Sequence, residues 1–297
     1  MAGLFERYPP PGELIRVNHH HLHIQRLGHD GPTVIFEAGQ AGFSLDWMLV
    51  LPTVSRFARV CSYDRAGLGW SEAGVRPRTP QQVVTELHAL LSAAAVPKPY
   101  ILVAHSLGGR YMRLYTHQHP EDVMGLVLVD AYHEAFDMGL GKEQLSVFLR
   151  NRARQYRLLN AVARLGIARL LSQQLVGLLG PDYRSIPLQE RKQYVLLATR
   201  PEAMATTIEE HEQAVAKLAD VPPGVLPNDL PLRILTHGVP WPYPEYERLW
   251  QESQRMAATW SSRSKLTGAS QSGHAIMLAQ PELVIDAIQE VMEQART

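Results

Sequence analysis

Hydrophobic residues along the chain form short continuous runs, separated by longer segments in which they recur every three or four positions. Runs of this kind are typical of strands, and the periodic segments are typical of amphipathic helices. The runs predict strands at 13–17, 20–27, 33–37, 58–63, 100–104, 125–129, 232–235 and 265–267. The periodic segments predict helices at 80–95, 107–117, 245–261 and 281–294.

Most of these strands are apolar along nearly their whole length rather than at alternate positions. Strands have this composition when both faces of their sheet are covered, and here helices alternate with them along the chain. The pattern predicts an α/β fold with a mainly parallel sheet flanked by helices. We expect the first two strands to form an antiparallel hairpin at one edge.

The interval from 131 to 230 has a different rhythm. It contains no convincing strand, and two parts of it, 145–179 and 188–218, are strongly helical in character. The strand pattern resumes at 232. We therefore predict one α/β core made of 1–130 and 231–297, with 131–230 inserted as a helical cap before the next strand.

Composition narrows the class of protein. Hydrophobic residues make up 45% and charged residues 20%, and 29 basic residues balance 29 acidic ones, so the overall charge gives no pull toward nucleic acid. The single cysteine excludes an intramolecular disulfide and fits a reducing compartment. The chain shows neither a signal-peptide start nor an uncharged apolar run long enough for a membrane helix. We expect a cytoplasmic protein without stable membrane insertion, as a monomer or small homo-oligomer.

The strongest chemical motif is Val-Ala-His-Ser-Leu-Gly-Gly at 103–109, between a predicted strand and a predicted helix. It fits the nucleophile elbow G-x-S-x-G, with Ala104 in place of the first glycine. Small residues are needed because the turn is tight, and the turn lifts the serine hydroxyl clear of the sheet. Ser106 is therefore the predicted nucleophile, and a helix-capping serine is the alternative.

A serine hydroxyl is a weak nucleophile and needs a base and an orienting acid. His274 lies between the last predicted strand and the last helix. In enzymes with a nucleophile elbow, the base follows the nucleophile and the acid in the chain, and His274 has that place. The acid is less obvious, because no carboxylate follows strand 232–235 before Glu245. Asp130, which ends strand 125–129, is the predicted acid, with Glu245 and Glu134 as alternatives.

The negatively charged oxygen of a tetrahedral intermediate needs two N–H donors in fixed positions. The predicted donors are the backbone amides of Leu107, directly after the nucleophile, and of Gln40, in the glycine-containing loop after strand 33–37. Ala38, Gly39 and His105 are expected to line the substrate pocket.

A run of histidines at 19–23 could be mistaken for a metal site. On a strand only His19, His21 and His23 would share a face, and no cysteine or acidic ligand accompanies them. No metal site is predicted.

These motifs together resemble the α/β-hydrolase fold superfamily. Tyr-Asp-Arg-Ala-Gly-Leu-Gly-Trp-Ser at 63–71 is similar to its D-x-x-G-x-G-x-S loop, and with 37–39, 113–115 and 128–130 it looks like a capped bacterial serine esterase-like branch. The resemblance implies a mainly parallel eight-stranded sheet, a Ser-acid-His triad and no cofactor. The sequence departs from the family in Ala38, where relatives have histidine, and in the missing acid after strand 232–235.

The resemblance and the site residues predict a carboxylesterase that cleaves small to medium hydrophobic esters through an acyl-enzyme intermediate. The expected partner is a small-molecule ester. Lactonase, amidase, C–C hydrolase, acyltransferase and perhydrolase activities use the same triad and stay open, as does a slow-turnover small-molecule receptor. Epoxide hydrolases and dehalogenases of this fold use an aspartate nucleophile, which Ser106 does not match. Ser106 and His274 also argue against a catalytically inactive scaffold.

Overall fold

A computed structural model describes residues 2–140, 176–216 and 226–296, together with five positions between 147 and 161. Its strands are β1 (Glu13–Val17), β2 (His20–Leu27), β3 (Thr33–Glu37), β4 (Arg59–Tyr63), β5 (Tyr100–His105), β6 (Val123–Val129), β7 (Leu232–His237) and β8 (Ser264–Ala269). Each coincides with a predicted strand, and the ends differ by three residues or fewer because propensity defines strand ends poorly.

The eight strands form one sheet in the order β1-β2-β4-β3-β5-β6-β7-β8. β1 pairs antiparallel with β2, and β2 pairs antiparallel with β4. All remaining neighbours are parallel. The predicted mainly parallel sheet with an antiparallel hairpin at its edge is therefore confirmed.

The helices that flank the sheet include most of those predicted. The described α-helices are α1 (Ala2–Arg7), α2 (Leu51–Val54), α3 (Pro80–Ala93), α4 (Gly108–Gln118), α5 (Glu134–Gly139), α6 (Leu188–Ala198), α7 (Pro201–Ala216), α8 (Pro244–Ala257), α9 (Ile276–Ala279) and α10 (Pro281–Ala295). The short helices α1, α2, α5 and α9 have no sequence prediction, because so few residues show no clear period.

The core is divided by the sheet into two layers, as the continuous apolar strands require. Along β5, Leu102 packs into one layer, whereas Ile101 and Val103 pack into the other. Helices α3 and α4 close the first layer, and α10 closes the second. Because both faces are covered, β3, β5, β6 and β7 are buried at nearly every position.

In the part of the chain that the structure describes, the interval between β6 and β7 contains helices and loops but no strand. It contains α5, α6, α7 and short 3-10 helices at Val176–Leu178 and Pro181–Ser185. The predicted helical stretch 188–218 is divided, because Pro201 has no backbone N–H and begins a new helix instead of continuing the old one. Most of the predicted stretch 145–179, and residues 217–218, lie outside the described residues. The division into core and cap stays a prediction.

Among the described helices, none combines the length and apolar character needed to cross a membrane. The predicted location in the cytoplasm is not tested by this finding.

The carboxyl ends of the parallel strands meet at one edge of the sheet. The loops that leave β3, β5, β6, β7 and β8 therefore lie side by side. Ligand sites in open α/β sheets form at this edge. The predicted site residues, which come from these five loops, are consequently expected to be neighbours.

Candidate active site

Ser106 lies on the sharp turn between β5 and α4. Its φ of 49° is in the left-handed region, which a residue with a Cβ adopts only when its surroundings hold it there. Two backbone hydrogen bonds do so: the Ser106 N–H donates to Val129 O at 3.2 Å, and the Tyr132 N–H donates to Ser106 O at 2.9 Å. A Cβ on Gly109 would come within 2.6 Å of Ala131 Cβ, which explains the small residue after the turn.

Ser106, His274 and Asp130 form a continuous hydrogen-bonded chain. His274 Nδ1 donates to Asp130 Oδ2 at 2.6 Å, and its Nε2 lies 2.9 Å from Ser106 Oγ. Because a carboxylate only accepts, the proton of the neutral ring is on Nδ1 and Nε2 is free to accept from the serine hydroxyl. Asp130 has a φ of 43°, so two of the three residues are held in the left-handed region.

The two alternative acids lie elsewhere. Glu245 is exposed in the first turn of α8. Glu134 is buried and paired with Arg113, whose Nη2 is 2.6 Å from Glu134 Oε2. The carboxylate in contact with His274 is that of Asp130.

The Asp130 carboxylate accepts more hydrogen bonds than the sequence indicated. Oδ1 accepts from the His237 N–H (3.1 Å), Trp250 Nε1 (2.9 Å) and Thr236 Oγ1 (3.3 Å), and Oδ2 accepts from the rings of both His274 and His237. Burial raises the pKa of Asp130, but the hydrogen bonds from His237 and His274, and the positive charge that these rings carry when protonated, outweigh burial and hold the pKa well below its ordinary range. The carboxylate is therefore ionised at neutral pH.

His237, at the end of β7, is a site residue that sequence reasoning missed. Its Nδ1 lies 2.7 Å from Asp130 Oδ2 and its Nε2 lies 2.9 Å from Glu247 Oε2. Burial lowers the pKa of His237, but the two carboxylates raise it to about 9. One signal could have found it: His237 ends the strand after which relatives carry their acid.

His105 supports the base from behind. Its Nε2 donates to the backbone carbonyl of His274 at 2.9 Å, and the two ring centroids are 4.6 Å apart. Burial, followed by the nearby His274, lowers the pKa of His105 to about 3, so the ring is neutral. The structure thus places His105 in the buried wall of the site, against the backbone of the base.

The loop after β3 passes directly beside the nucleophile. A Cβ on Gly39 would lie 3.1 Å from Ser106 Cβ, and a Cβ on Gly108 would lie 2.6 Å from Ala38 O. Ala38 is buried, and the side chain of Gln40 donates to Thr207 O on α7 at 3.3 Å. The structure therefore brings the backbone around Gln40 against the turn that carries Leu107.

Arg65, from the 63–71 motif, binds the backbone of the loop after β3. Its guanidinium donates to Ala38 O and Gly39 O, each at 2.8 Å, and also to Glu37. It donates in addition to both carboxylate oxygens of Glu210 on α7, at 2.8 and 3.0 Å. All these side chains are buried, so the loop beside Ser106 is fixed by a charged cluster that also reaches into the interval between β6 and β7.

A second contact from that interval holds the loop of the base. Asp182 accepts hydrogen bonds from the backbone N–H of Gly273 (3.1 Å) and of Ala275 (3.0 Å). These two residues flank His274 in the chain. The carboxylate of Asp182 therefore fixes the backbone on both sides of His274.

Two of the three histidines that share a face in the run at 19–23 are paired with carboxylates of the protein. His23 pairs with buried Asp64 at 2.9 Å, and His21 pairs with Glu72 at 3.0 Å. Within the described ranges, the potential metal-binding group is instead His88, His119 and Asp122, whose ligand atoms lie within 4.8 Å of one another. The Lys98 ammonium is already 2.7 Å from Asp122. This group lies beyond the far end of α4 from Ser106, so it has no part in the site.

The geometry defines what the site can do chemically. A serine hydroxyl next to a neutral imidazole, which is oriented by an ionised carboxylate, is the arrangement that activates serine for attack on an electrophilic carbon. The hydroxyl lies at the N-terminal end of α4, where backbone N–H groups favour a developing negative charge.

Comparisons with known proteins identify the fold family of the chain. A family model described as alpha/beta hydrolase fold matches residues 32–221. An AB hydrolase superfamily protein of Gibberella zeae is 25% identical over 296 aligned positions, which cover 89% of this chain and 87% of that protein. The uncharacterized protein YqjL of Bacillus subtilis is 38% identical over 110 residues, 37% of this chain and 44% of YqjL. An uncharacterized protein of Schizosaccharomyces pombe is 37% identical over 109 residues, 36% of this chain and 20% of that protein. The chain therefore spans less than half the length of these last two relatives.

Solved structures share the fold over nearly the whole chain. A thermophilic esterase from Thermogutta terrifontis has a TM-score of 0.69 at 18% identity and covers 96% of this chain and 99% of its own. The enol-lactonase from Burkholderia xenovorans has a TM-score of 0.67 at 17% identity and covers 95% and 100%. The epoxide hydrolase CorEH has a TM-score of 0.70 at 14% identity and covers 95% and 98%. Together with the family model, these neighbours support a hydrolase. The chain belongs to the α/β-hydrolase fold family.

Proposed function

We propose that the protein is a serine hydrolase that cleaves carboxylic esters through an acyl-enzyme intermediate. The observation that carries the proposal is the unbroken chain from Ser106 Oγ through both ring nitrogens of His274 to the buried carboxylate of Asp130. This arrangement serves acyl transfer, and the serine at its end argues against the aspartate chemistry of epoxide opening.

The reaction has two steps. Ser106 Oγ attacks the ester carbonyl carbon while His274 Nε2 accepts the hydroxyl proton. Asp130 stabilises the imidazolium, and the alcohol leaves with that proton as the tetrahedral intermediate collapses to the acyl-enzyme. Water then gives a proton to His274 Nε2 and attacks the acyl carbonyl, which releases the acid and regenerates the Ser106 hydroxyl.

The tetrahedral intermediates need donors for their negatively charged oxygen, and we assign the backbone amides of Leu107 and Gln40 to this role. The close approach of Gly39 and Gly108 to each other's loops supports the assignment. Because the hydrogen bonds come from backbone amides, Ala38 in place of the family's histidine need not disable the site.

We assign residues 131–230 the role of a cap over the site. Three contacts support this: Thr207 O accepts from Gln40, Glu210 pairs with Arg65, and Asp182 binds the backbone beside His274. The interval thus contacts the loops on both sides of Ser106, as a cap that closes a substrate pocket must.

Aromatic side chains beside the base support a hydrophobic substrate class. Trp241 and Trp250 meet the His274 ring edge-on, with centroid distances of 6.0 and 5.5 Å, and Phe136 packs against both tryptophans. Aromatic side chains at the edge of a ligand site favour apolar ligand groups. We therefore assign the protein small to medium hydrophobic esters.

The test is hydrolysis of p-nitrophenyl esters from acetate to palmitate, with labelling by a fluorophosphonate in parallel. Wild type is expected to turn over short or medium esters and to be labelled at Ser106. Ser106→Ala is expected to lose both. Ser92→Ala, an exposed serine at the end of α3, is the matched control and should behave as wild type.

The two readouts separate the alternatives. Labelling of Ser106 without ester turnover would move the assignment to another acyl substrate, such as a lactone or an amide. If neither readout responds, the serine hydrolase proposal fails and a small-molecule receptor takes its place.

A further inference from the structure

The base His274 and a second histidine share one carboxylate oxygen. Asp130 Oδ2 accepts from the Nδ1 atoms of both His274 and His237, at 2.6 and 2.7 Å. On its far side, His237 Nε2 is 2.9 Å from Glu247 Oε2. Four titratable groups therefore form one line, Glu247–His237–Asp130–His274, that ends at the nucleophile.

The hydrogen-bond geometry fixes the charge of His237. Each of its two ring nitrogens faces a carboxylate oxygen, and an ionised carboxylate can only accept. Both nitrogens must therefore carry a proton, which makes the ring an imidazolium. The side chain has no solvent exposure, so it lies between the two carboxylates rather than in water.

We propose that His237 is a positioning residue: a buried cation, clamped between Asp130 and Glu247, that sets how strongly Asp130 supports proton uptake by His274. The proposal deepens the proposed function, because the proton taken up by His274 is the one that leaves Ser106.

Charge balance explains why a cation can be tolerated beside the acid. A lone imidazolium on Asp130 would offset much of its charge and weaken its pull on His274. Glu247 compensates, so that Asp130, His237 and Glu247 together carry one net negative charge. When His274 accepts the serine proton, the four-group line becomes neutral, which is the favourable state for buried charges.

The surroundings of His237 contain no competing charge among the described residues that contact its ring. Asp130 approaches from the end of β6 and Glu247 from α8, and His274 lies beyond Asp130. The other ring neighbours are Trp241, stacked at 5.0 Å, and Trp250, tilted at 6.5 Å. Glu247 is itself held by the Trp241 N–H at 3.0 Å and by Gln251 Nε2 at 3.0 Å.

The first experiment reads the charge of His237 directly and needs no substrate. Imidazole ¹⁵N shifts of ¹⁵N-histidine-labelled protein are recorded across about pH 6–8, where an ordinary histidine loses its proton. His237 should keep both nitrogens protonated throughout that range, with strongly downfield N–H protons. Loss of these signals in His237→Asn assigns them. A neutral tautomer of His237 in that range would overturn the proposal.

The second experiment measures the effect on the base. The pH dependence of fluorophosphonate labelling, and of kcat/KM where an ester is turned over, reports the ionisation of His274 through its acidic limb. His237→Asn keeps a donor toward Asp130 but removes the positive charge, so the limb should move up by about half a pH unit or more. Glu247→Gln leaves the cation uncompensated, so the limb should move down.

Glu245→Gln is the matched control. It is the same substitution two residues away on the same helix, at an exposed position, and it should leave the limb unchanged. A limb that stays in place in folded His237→Asn and Glu247→Gln would reduce His237 to a structural residue and overturn the proposal. If His237→Asn does not fold, Glu247→Gln and the wild-type ¹⁵N shifts decide the question. If Ser106 is never labelled, the proposed function fails. The ¹⁵N experiment would still test the charge of His237.

Discussion

Two buried clusters flank the nucleophile, and both place a cation between two carboxylates. In one, Arg65 lies between Glu37 and Glu210, beneath the loop beside Ser106. In the other, His237 lies between Asp130 and Glu247, behind the base. The charge pattern is the same, but the cations differ in whether they can lose a proton.

This difference assigns the clusters different tasks. A guanidinium stays charged at every accessible pH and offers several donors in one plane, so Arg65 can bind two carboxylates and two backbone carbonyls at once. An imidazolium has two donors and titrates within reach of physiological pH. The arginine cluster is suited to holding a loop, and the histidine cluster is suited to tuning a proton transfer.

The largest expected effect is the loss of activity when the acid of the histidine cluster is neutralised. Asp130→Asn should lower kcat/KM by a factor on the order of 10⁴, because the base loses both its orienting acceptor and the charge that stabilises its imidazolium. Ester hydrolysis, measured at equal folded fraction, checks this. The comparison variant Arg65→Met should lose far less activity per folded molecule. Near-normal turnover by Asp130→Asn would show that Asp130 is not the acid of a catalytic triad.

The next effect concerns stability. Arg65→Met should lower the free energy of unfolding by about 3–5 kcal/mol, because it leaves two carboxylates buried without a cation. Urea denaturation measures the loss. Neutralising the partners as well, with Glu37→Gln and Glu210→Gln, should recover most of it. A loss below about 1 kcal/mol in the single variant would mean that water or another cation replaces Arg65.

A smaller effect is the pH window in which each cluster contributes to stability. The folded-state pKa of His237 is raised to about 9, so its contribution is complete below its ordinary value of 6.5 and is lost as pH rises through 9. Burial raises the pKa of Glu37 from 4.5 to about 7, although Arg65 lowers it. The contribution of Glu37 to stability is therefore complete below 4.5 and is lost as pH rises through 7. Each window should be worth on the order of 3 kcal/mol.

Unfolding titrations from about pH 4 to 10 can resolve the two windows. Glu37→Gln should flatten the lower window and leave the upper one, and His237→Asn should do the reverse. A single slope removed by both variants would show that the clusters titrate as one unit.

The smallest effect concerns Asp182, which holds the loop of the base without the help of a cation. Asp182→Ala removes two hydrogen bonds to the backbone around His274, which should lower kcat about tenfold and stability by about 1 kcal/mol. Steady-state kinetics measures the first, with exposed Asp229→Ala as control. A change confined to KM would assign Asp182 to substrate binding instead of to the position of the base.

The sheet was predictable from the sequence because its signal is local. Continuous apolar runs identify each buried strand, and alternate residues such as Ile101 and Leu102 face opposite layers. The elbow around Ser106 was predictable for the same reason, since the steric demands of a tight turn fall on adjacent positions. Helix ends and the break before Pro201 were less predictable, because tertiary contacts decide them.

The contacts behind and around the base were not predictable. They join residues that are far apart in the sequence, and those residues do not belong to a recognisable motif. His237 pairs with Asp130 across 107 positions, and Asp182 reaches Gly273 across 91. Glu247 differs from exposed Glu245 only by its place on the inner side of α8. No local pattern records such pairings, so the acid was predicted but its second histidine was not.

The bidentate pair between Arg65 and Glu210 also limits how substrate can reach the site. Glu210 belongs to α7, so swinging that helix away would strip a buried guanidinium of one of its carboxylates. At a cost of about 3–5 kcal/mol, such an open form would be populated in roughly one molecule in a few hundred to a few thousand. Substrate entry and product release are therefore expected to use a path that does not require α7 to leave the core.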